Sequence, residues 1–459
     1  MKFSESQLKA VKTRDKNILV SASAGSGKTA VLTGRVADII SESGKSIERL
    51  LIVTFTNAAA AEMKDRIEKR IRELLAEKPY GANSAHLKRQ LRLLNSADVT
   101  TIDAFCGRLV RKFFYKTDIA PNFAVDPGSR LTETRDEAMA RVMDDAFKRM
   151  EEGEELYAPL YALCDMLTDG RSKRLELEEA VISVSDKLSS LPCPEDWIRD
   201  KRSEFNTDSF EKYMELPMHK IIHEGMELKR AAELISEADR ILYEYIPPEK
   251  DGNFLEEEKK NIESLAEEKN LLKLAEKLNN IKFPKWSAKI KKYDPEMGAE
   301  AQKLRNSAKD IITKKALPHA HYFTEEAFEE YKKQLPFLNL FYTLVENFRS
   351  EYYKLKSEKN MYEFSDIERA CLNMLVNKDG SETETAVYLK NKYVEIMTDE
   401  YQDTNPLQEA LLQALSGEKN RFMVGDIKQS IYRFRDADIN IFADKYNKYY
   451  DEEKENKES

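Results

Sequence analysis

The chain has 459 residues, 34% of them charged and 41% hydrophobic, with a formal net charge of −9. That length accommodates two or three domains with real cores. The acidic balance excludes a uniformly basic nucleic-acid coat, but not a local basic groove, since affinity for phosphate depends on where the cations sit.

In chain order, the apolar run Ile18-Leu19-Val20 predicts a first strand. The segment Ser21–Thr29, S-A-S-A-G-S-G-K-T, follows it, and a helical pattern of Leu32, Val36, Ile39 and Ile40 comes next. Strand, glycine-rich loop and helix are the context of a phosphate-binding loop. After Ser23, the small residues Ala24, Gly25, Ser26 and Gly27 let backbone N–H groups turn inward around phosphate oxygens, and the helix N-terminus adds a field favourable to anions. Lys28 would reach the β- and γ-phosphates of ATP, and the Thr29 hydroxyl would coordinate Mg²⁺. Ala22 stands where the G-x-x-x-x-G-K-[ST] pattern has its first glycine. A second buried strand is expected over Arg49–Thr54, then a helix capped by Asn57 with Met63, Ile67, Ile71 and Leu74 on its apolar face. A third strand, Asp98–Ile102, leads to Asp103 as a candidate cap and a helix carrying Phe105, Leu109, Val110 and Phe113. Buried strands alternating with helices predict a parallel α/β sheet.

From Pro121-Asn122-Phe123 to about Asn360 the composition turns to Lys, Glu and Leu with long 3.6-residue periodicity, and Glu256–Leu278 reads as a solvated helical face. Ile246-Pro247-Pro248 and Ile281–Pro284 read as helix breaks. The α/β pattern then returns: a capping box at Ser365–Glu368 opening a helix through Leu375, a strand at Val394–Thr398 and another at Arg421–Gly425. The expected organisation is one sheet domain in two parts, 1–118 and 362–450, split by a helical insertion over 119–361 and followed by a frayed tail, 451–459.

Asp399-Glu400 follows the penultimate strand, where α/β sheets bind ligands beyond the carboxyl edge. Asp399 would hold Mg²⁺ through its water shell, and Glu400 would orient and deprotonate the attacking water. After the last strand, the Gln429 amide can touch the γ-phosphate and sense its loss. Tyr432, Phe434 and Arg435 beyond it offer flat faces to unpaired bases, or else pack into the core.

Taken together, F-S-E-S-Q (Phe3–Gln7), A-G-S-G-K-T (Ala24–Thr29), V-T-F-T-N-A-A-A-A-E-M (Val53–Met63), T-T-I-D-A-F (Thr100–Phe105), D-E-Y-Q-D-T-N (Asp399–Asn405) and V-G-D-I-K-Q-S-I-Y-R-F-R (Val424–Arg435) resemble the superfamily 1 helicases of the UvrD/Rep/PcrA type. Within that group the chain is most similar to the AddA-type helicase–nucleases of bacterial double-strand-break processing. The resemblance implies a RecA-like P-loop NTPase domain with a helical insertion, ATP and Mg²⁺ as ligands, and catalytic roles for Lys28, Glu400 and Gln429. It implies that Gln7 reads adenine and that Phe55, Asn57, Thr101, Tyr432, Phe434 and Arg435 contact single-stranded DNA. Core capping is the rival role for Gln7, and buried packing for Phe55. Asp103 stands where many relatives carry His, and Asp366 resembles a minor family motif that helix capping explains equally well. Duplex DNA and a second protein of the AddB type are the implied partners, in a bacterial, nucleoid-associated setting. No counterpart of the family's second RecA-like domain, with its arginines, or of a nuclease domain is found before Ser459, so a motor fragment that hydrolyses ATP poorly is expected. A UvrD-like repair helicase without nuclease, and a non-catalytic ATP-responsive DNA-binding scaffold, remain open alternatives.

Four scattered cysteines (Cys106, Cys164, Cys193, Cys371) form no C-x-x-C pair and fit a reducing cytoplasm. No apolar run approaches a membrane span. His219 and His223, and His319 and His321, are read as surface or groove histidines rather than metal ligands.

Overall fold

The structure, a computed structural model, describes residues 3–23, 25–77, 83–126, 130–166, 173–429 and 437–458, with backbone alone for 173 and 451–458. Seven strands are named in chain order: β1 Ile18–Ser21, β2 Leu50–Thr54, β3 Asp98–Thr101, β4 Ala124–Val125, β5 Met361–Tyr362, β6 Glu395–Thr398 and β7 Arg421–Gly425. Among the described residues, five of them form one sheet in the order β1-β7-β6-β2-β3, parallel throughout. The last two strands of the chain thus lie between the first two. The register aligns Val20 with Val424, Met423 with Thr398, Thr398 with Val53, and Thr54 with Thr101, so all five strands leave the sheet along one edge.

Period-2 alternation divides the strand side chains between two layers. Leu50, Ile52, Val99, Met397, Phe422 and Val424 pack with the helices Lys28–Ser41, Asn57–Glu77 and Ser84–Leu93. Leu51, Val53 and Ile396 face the helices Ile102–Lys112, Phe364–Leu375 and Pro406–Leu415. Strands covered on both faces must be apolar almost continuously, as β2 is, with every residue buried.

The chain packs as two compact units. The sheet unit holds residues up to Gly153, Cys164–Pro194 and Thr343 onward; the second unit holds Glu154–Leu163 and Glu195–Tyr342. Much of the stretch 119–361 therefore packs with the sheet. Its entry and exit run side by side, β4 parallel to β5, with Asp126 N donating to Tyr362 O at 2.9 Å.

The second unit is helical. Ala231, Ile235, Ala238 and Leu242 of the Leu228–Tyr245 helix share a core with Ala301 and Ala308 of Pro295–Asp310. The expected breaks fall at Ile246, after one helix, and after Asn280, at the end of another. Glu258 is not on a solvated face. It is 3% exposed and meets the buried Arg305, whose Nη2 donates to its Oε2 at 2.8 Å, because a charge can be buried only with a partner. His219 is likewise buried, its ring 4.5 Å from that of Tyr213, and burial lowers its pKa, favouring the neutral ring.

Three expected caps are shifted. Thr56, not Asn57, accepts the Ala59 N–H at 3.0 Å. Thr101, not Asp103, accepts that of Ala104 at 3.2 Å. The capping box of Phe364–Leu375 is Glu363 with Asp366 rather than Ser365 with Glu368. In each case the capping side chain comes from the residue before the helix, whose extended backbone lets it fold back over the first turn. The final helix, Ile439–Glu458, runs through the segment expected to fray, in keeping with the helix propensity of its Lys and Glu residues.

Candidate nucleotide and DNA-strand site

Phe3 packs against Gly34 of the Lys28–Ser41 helix so closely that a β-carbon there would lie 2.5 Å from its ring. This contact seats the Glu5–Lys12 helix beside the glycine-rich loop. Ser4 and Gln7 form its capping box. The Gln7 amide spans both structures: Oε1 accepts from Ser4 N at 2.9 Å, and Nε2 donates to the Ser26 carbonyl at 2.9 Å. Gln7, Ala10, Ser26, Lys28 and Tyr449 are among the residues around a cavity of about 1070 Å³.

The loop leaves β1 with Ala22 N donating to Gly425 O at 3.1 Å. Gly25 and Gly27 have φ of +74° and +85°, a left-handed conformation that any side chain would strain. The turn closes with Ser26 N on Ser23 O at 3.2 Å. Ser23, Gly25 and Ser26 are exposed, and Ala24 lies outside the described residues. No side chain caps the helix that starts at Lys28, which leaves first-turn amides available to an anion. Thr29 is half-buried on that first turn.

Lys28 is 9% exposed. Its Nζ donates to Glu400 Oε2 at 3.1 Å and to Gln429 Oε1 at 2.9 Å, partners 372 and 401 positions away. Glu400 sits just past β6 with φ +50°, a non-glycine residue in the left-handed region, where backbone strain of about 1–3 kcal/mol is typical of functional sites. Its N–H donates to Asp399 Oδ1 at 3.1 Å. Burial first, then the charge of Glu400, pushes Asp399 up to about 6, against the pull of the Glu400 N–H and of Lys28. Gln402, which sequence reasoning passed over, is 1% exposed. Its Nε2 donates to Glu400 Oε2 at 2.9 Å and to Asp403 Oδ2 at 3.0 Å, and its Oε1 accepts from Asp426 N at 2.9 Å. The only hint in the sequence was its place in the D-E-Y-Q-D run.

Farther along the same edge, Phe55 follows β2 and is half-buried, Asn57 is exposed, and Thr101 ends β3 with its hydroxyl engaged as a helix cap. Phe55 and Thr101 line a cavity of about 470 Å³ together with Arg135, Phe364 and Asp399. Phe364 and Arg135 were not singled out from sequence. Beneath this cavity Glu368 is fully buried and accepts from Gln408 Nε2 at 2.9 Å. Burial, then the neighbouring Asp103, pushes its pKa well above the usual carboxylate range. Arg369 donates to the carbonyls of Ser189, Leu191 and Pro192 at 2.7–2.9 Å, pinning that segment beside the cavity. Tyr432, Phe434 and Arg435 lie outside the described residues.

The sheet edge carries, strand by strand, the glycine-rich loop (β1), Asp426 and Gln429 (β7), Asp399 and Glu400 (β6), Phe55 (β2) and Thr101 (β3). An open parallel sheet with a lysine-bearing glycine loop facing an acidic pair is the arrangement of a phosphate-loop protein of the α/β class. The chain belongs to the UvrD/REP helicase N-terminal domain family, whose model matches residues 3–450. Among its relatives, the AddA component of the ATP-dependent helicase/nuclease of Listeria monocytogenes serotype 4b (strain F2365) is 34% identical over 467 residues, 97% of this chain and 36% of the relative. The proteins of the same name from Bacillus pumilus (strain SAFR-032) and Alkaliphilus oremlandii (strain OhILAs) are 34% and 35% identical, over 99% and 98% of this chain and 37% of each relative. The chain thus spans little more than a third of the length of these relatives. Among the described residues, no helix is long and apolar enough to cross a membrane.

Proposed function

We propose that this chain is the ATP-binding motor portion of an AddA-type DNA helicase–nuclease, with a RecA-like core split by the helical insertion. In this reading it couples ATP hydrolysis to movement along single-stranded DNA and duplex unwinding, in double-strand-break repair by homologous recombination and alongside an AddB-type partner. The observation that carries the proposal is the meeting of Lys28 with Glu400 and Gln429, from three strand exits, beside Asp399.

Each group has a job its surroundings favour. Lys28, already largely withdrawn from water, exchanges its two side-chain acceptors for β- and γ-phosphate oxygens. The uncapped helix start and the left-handed glycines present N–H groups to the same phosphates. Asp399 fits a divalent cation, because a buried carboxylate forced next to a second one gains from a cation's charge. Thr29 and Asp399 would hold Mg²⁺, which supplies charge neutralisation at the phosphates. Glu400 accepts the proton of the attacking water, and Gln429 follows the γ-phosphate through the lysine it shares with Glu400. Phe55, Asn57 and Thr101, two strands away on the same edge, serve the DNA strand.

The test is direct. The 459-residue chain should bind a fluorescent Mg·ATP analogue and a fluorescein-labelled oligo(dT), with saturation of the first changing affinity for the second. A chain that binds neither, or binds both independently, refutes the reading.

A further inference from the structure

We infer that Gln402 is a positioning residue that ties the carboxylate of Glu400 to the exit of β7, so that nucleotide occupancy at Lys28 is transmitted to Asp426–Gln429. This deepens the proposed function and rests on it.

A primary amide has one acceptor oxygen and two N–H donors. The Asp426 backbone N–H can only donate, so its contact at 2.9 Å identifies the facing atom as the amide oxygen. The NH₂ group must then point the other way, where it meets two acceptors, Glu400 Oε2 at 2.9 Å and Asp403 Oδ2 at 3.0 Å. Both donors and the oxygen are engaged on a side chain that is 1% exposed, so no solvent competes for them and rotation about the amide would break all three bonds.

These bonds close a ring. Lys28 Nζ binds Glu400 and Gln429, Glu400 binds Gln402, Gln402 binds Asp426 N, and three residues of chain return from Asp426 to Gln429. When phosphate draws Lys28 away, Glu400 loses one of its two donors, and the Gln402 amide is the remaining tether. Any shift of that carboxylate is therefore passed to the Asp426 N–H. The approach also demands Gly425: a β-carbon there would stand 2.6 Å from Gln402 Oε1 and 3.2 Å from its backbone N.

Two substitutions break the tether from opposite sides without altering any charge. Gln402→Met keeps the length of the side chain and removes the amide, whereas Gly425→Ala leaves the amide and displaces it. The probe is the Mg·ATPγS complex, and the readout is hydrogen–deuterium exchange of the backbone over 425–429, with and without it. In the unaltered chain, nucleotide should change exchange there severalfold. In both variants that change should be lost while the Kd for Mg·ATPγS stays within threefold, a split that general destabilisation would not produce. Reverting position 425 in a Gly425→Ala chain must restore the response. A nucleotide-dependent change that persists in Gln402→Met, or a loss that tracks weakened nucleotide binding, overturns the inference and leaves the site reading standing. Failure of the unaltered chain to bind Mg·ATPγS overturns the site reading itself, and the inference with it.

Discussion

Replacing Lys28 by methionine keeps the aliphatic stem and removes only the cation. Lys28 is 9% exposed and holds two acceptors at 3.1 and 2.9 Å, so its charge is already desolvated before any phosphate arrives. A hydrogen bond to a charged group contributes about 1.5–3 kcal/mol, and about 1.4 kcal/mol is a tenfold change in affinity. The Kd for Mg·ATP should therefore rise about 10- to 150-fold on these principles. AMP, which lacks the two outer phosphates, should bind the variant as it binds the unaltered chain. Stability should change little, by under about 1 kcal/mol, because Glu400 is 39% exposed and keeps its bond from Gln402. Isothermal titration with ATP and AMP, paired with urea unfolding, checks all three expectations. Equal losses for ATP and AMP, or an ATP affinity within threefold of the unaltered chain, would refute the placement of Lys28 at the outer phosphates.

Phe55→Ala should weaken oligo(dT) binding by about 1–3 kcal/mol, the range for stacking on one base, and leave Mg·ATP affinity unchanged; fluorescence anisotropy decides, and a loss of nucleotide binding instead would make Phe55 a packing residue. Glu409 accepts both Arg421 Nη1 and Nη2 at 2.7 Å, and Lys445 besides. Burial alone would raise its pKa, but Arg421 and then Lys445 outweigh burial and lower it. The stabilisation is thus present above the unfolded value, about 4.3, and disappears as pH falls through the lower folded value. Glu409→Gln should cost about 3–5 kcal/mol at pH 7, since a buried arginine loses its counter-charge, and the gap should narrow by pH 3.5; a gap independent of pH in urea titrations would contradict this. In the second unit, Glu258→Leu strands Arg305 and should cost a similar 3–5 kcal/mol, whereas adding Arg305→Met should recover most of it. Fluorescence of Trp286, whose ring lies 5.8 Å from the Arg305 guanidinium, follows the unfolding, and a double variant no better than the single one would refute the pairing argument.

Local patterns were readable wherever neighbours along the chain do the work. The apolar strand, small-residue loop and Lys-Thr start of Ser21–Thr29 are set by backbone conformations that only a few residue types allow, and Gly25 and Gly27 take up the left-handed angles that such a loop needs. Buried β2 and the helix breaks near Ile246 and Asn280 were equally legible. Caps were misplaced by one or two residues, because neighbouring Thr, Asn, Asp and Ser are chemically interchangeable until backbone angles choose among them. A charged face and a histidine pair concealed two buried groups, Glu258 and His219, because burial depends on which helix lies opposite and not on composition.

Spacing along the chain carries no information about strand order, since any of several crossovers would satisfy the same hydrophobic pattern. Packing alone brought β6 and β7 between β1 and β2, and with them Glu400 and Gln429 to either side of the Lys28 ammonium. It also aimed the Gln402 amide, whose orientation is dictated by a backbone N–H 24 positions away. Residue types announced phosphate, metal and base chemistry through local geometry. Which of those residues share a proton, a cation or a hydrogen bond was decided by long-range contact, where desolvation makes each pairing strong enough to matter.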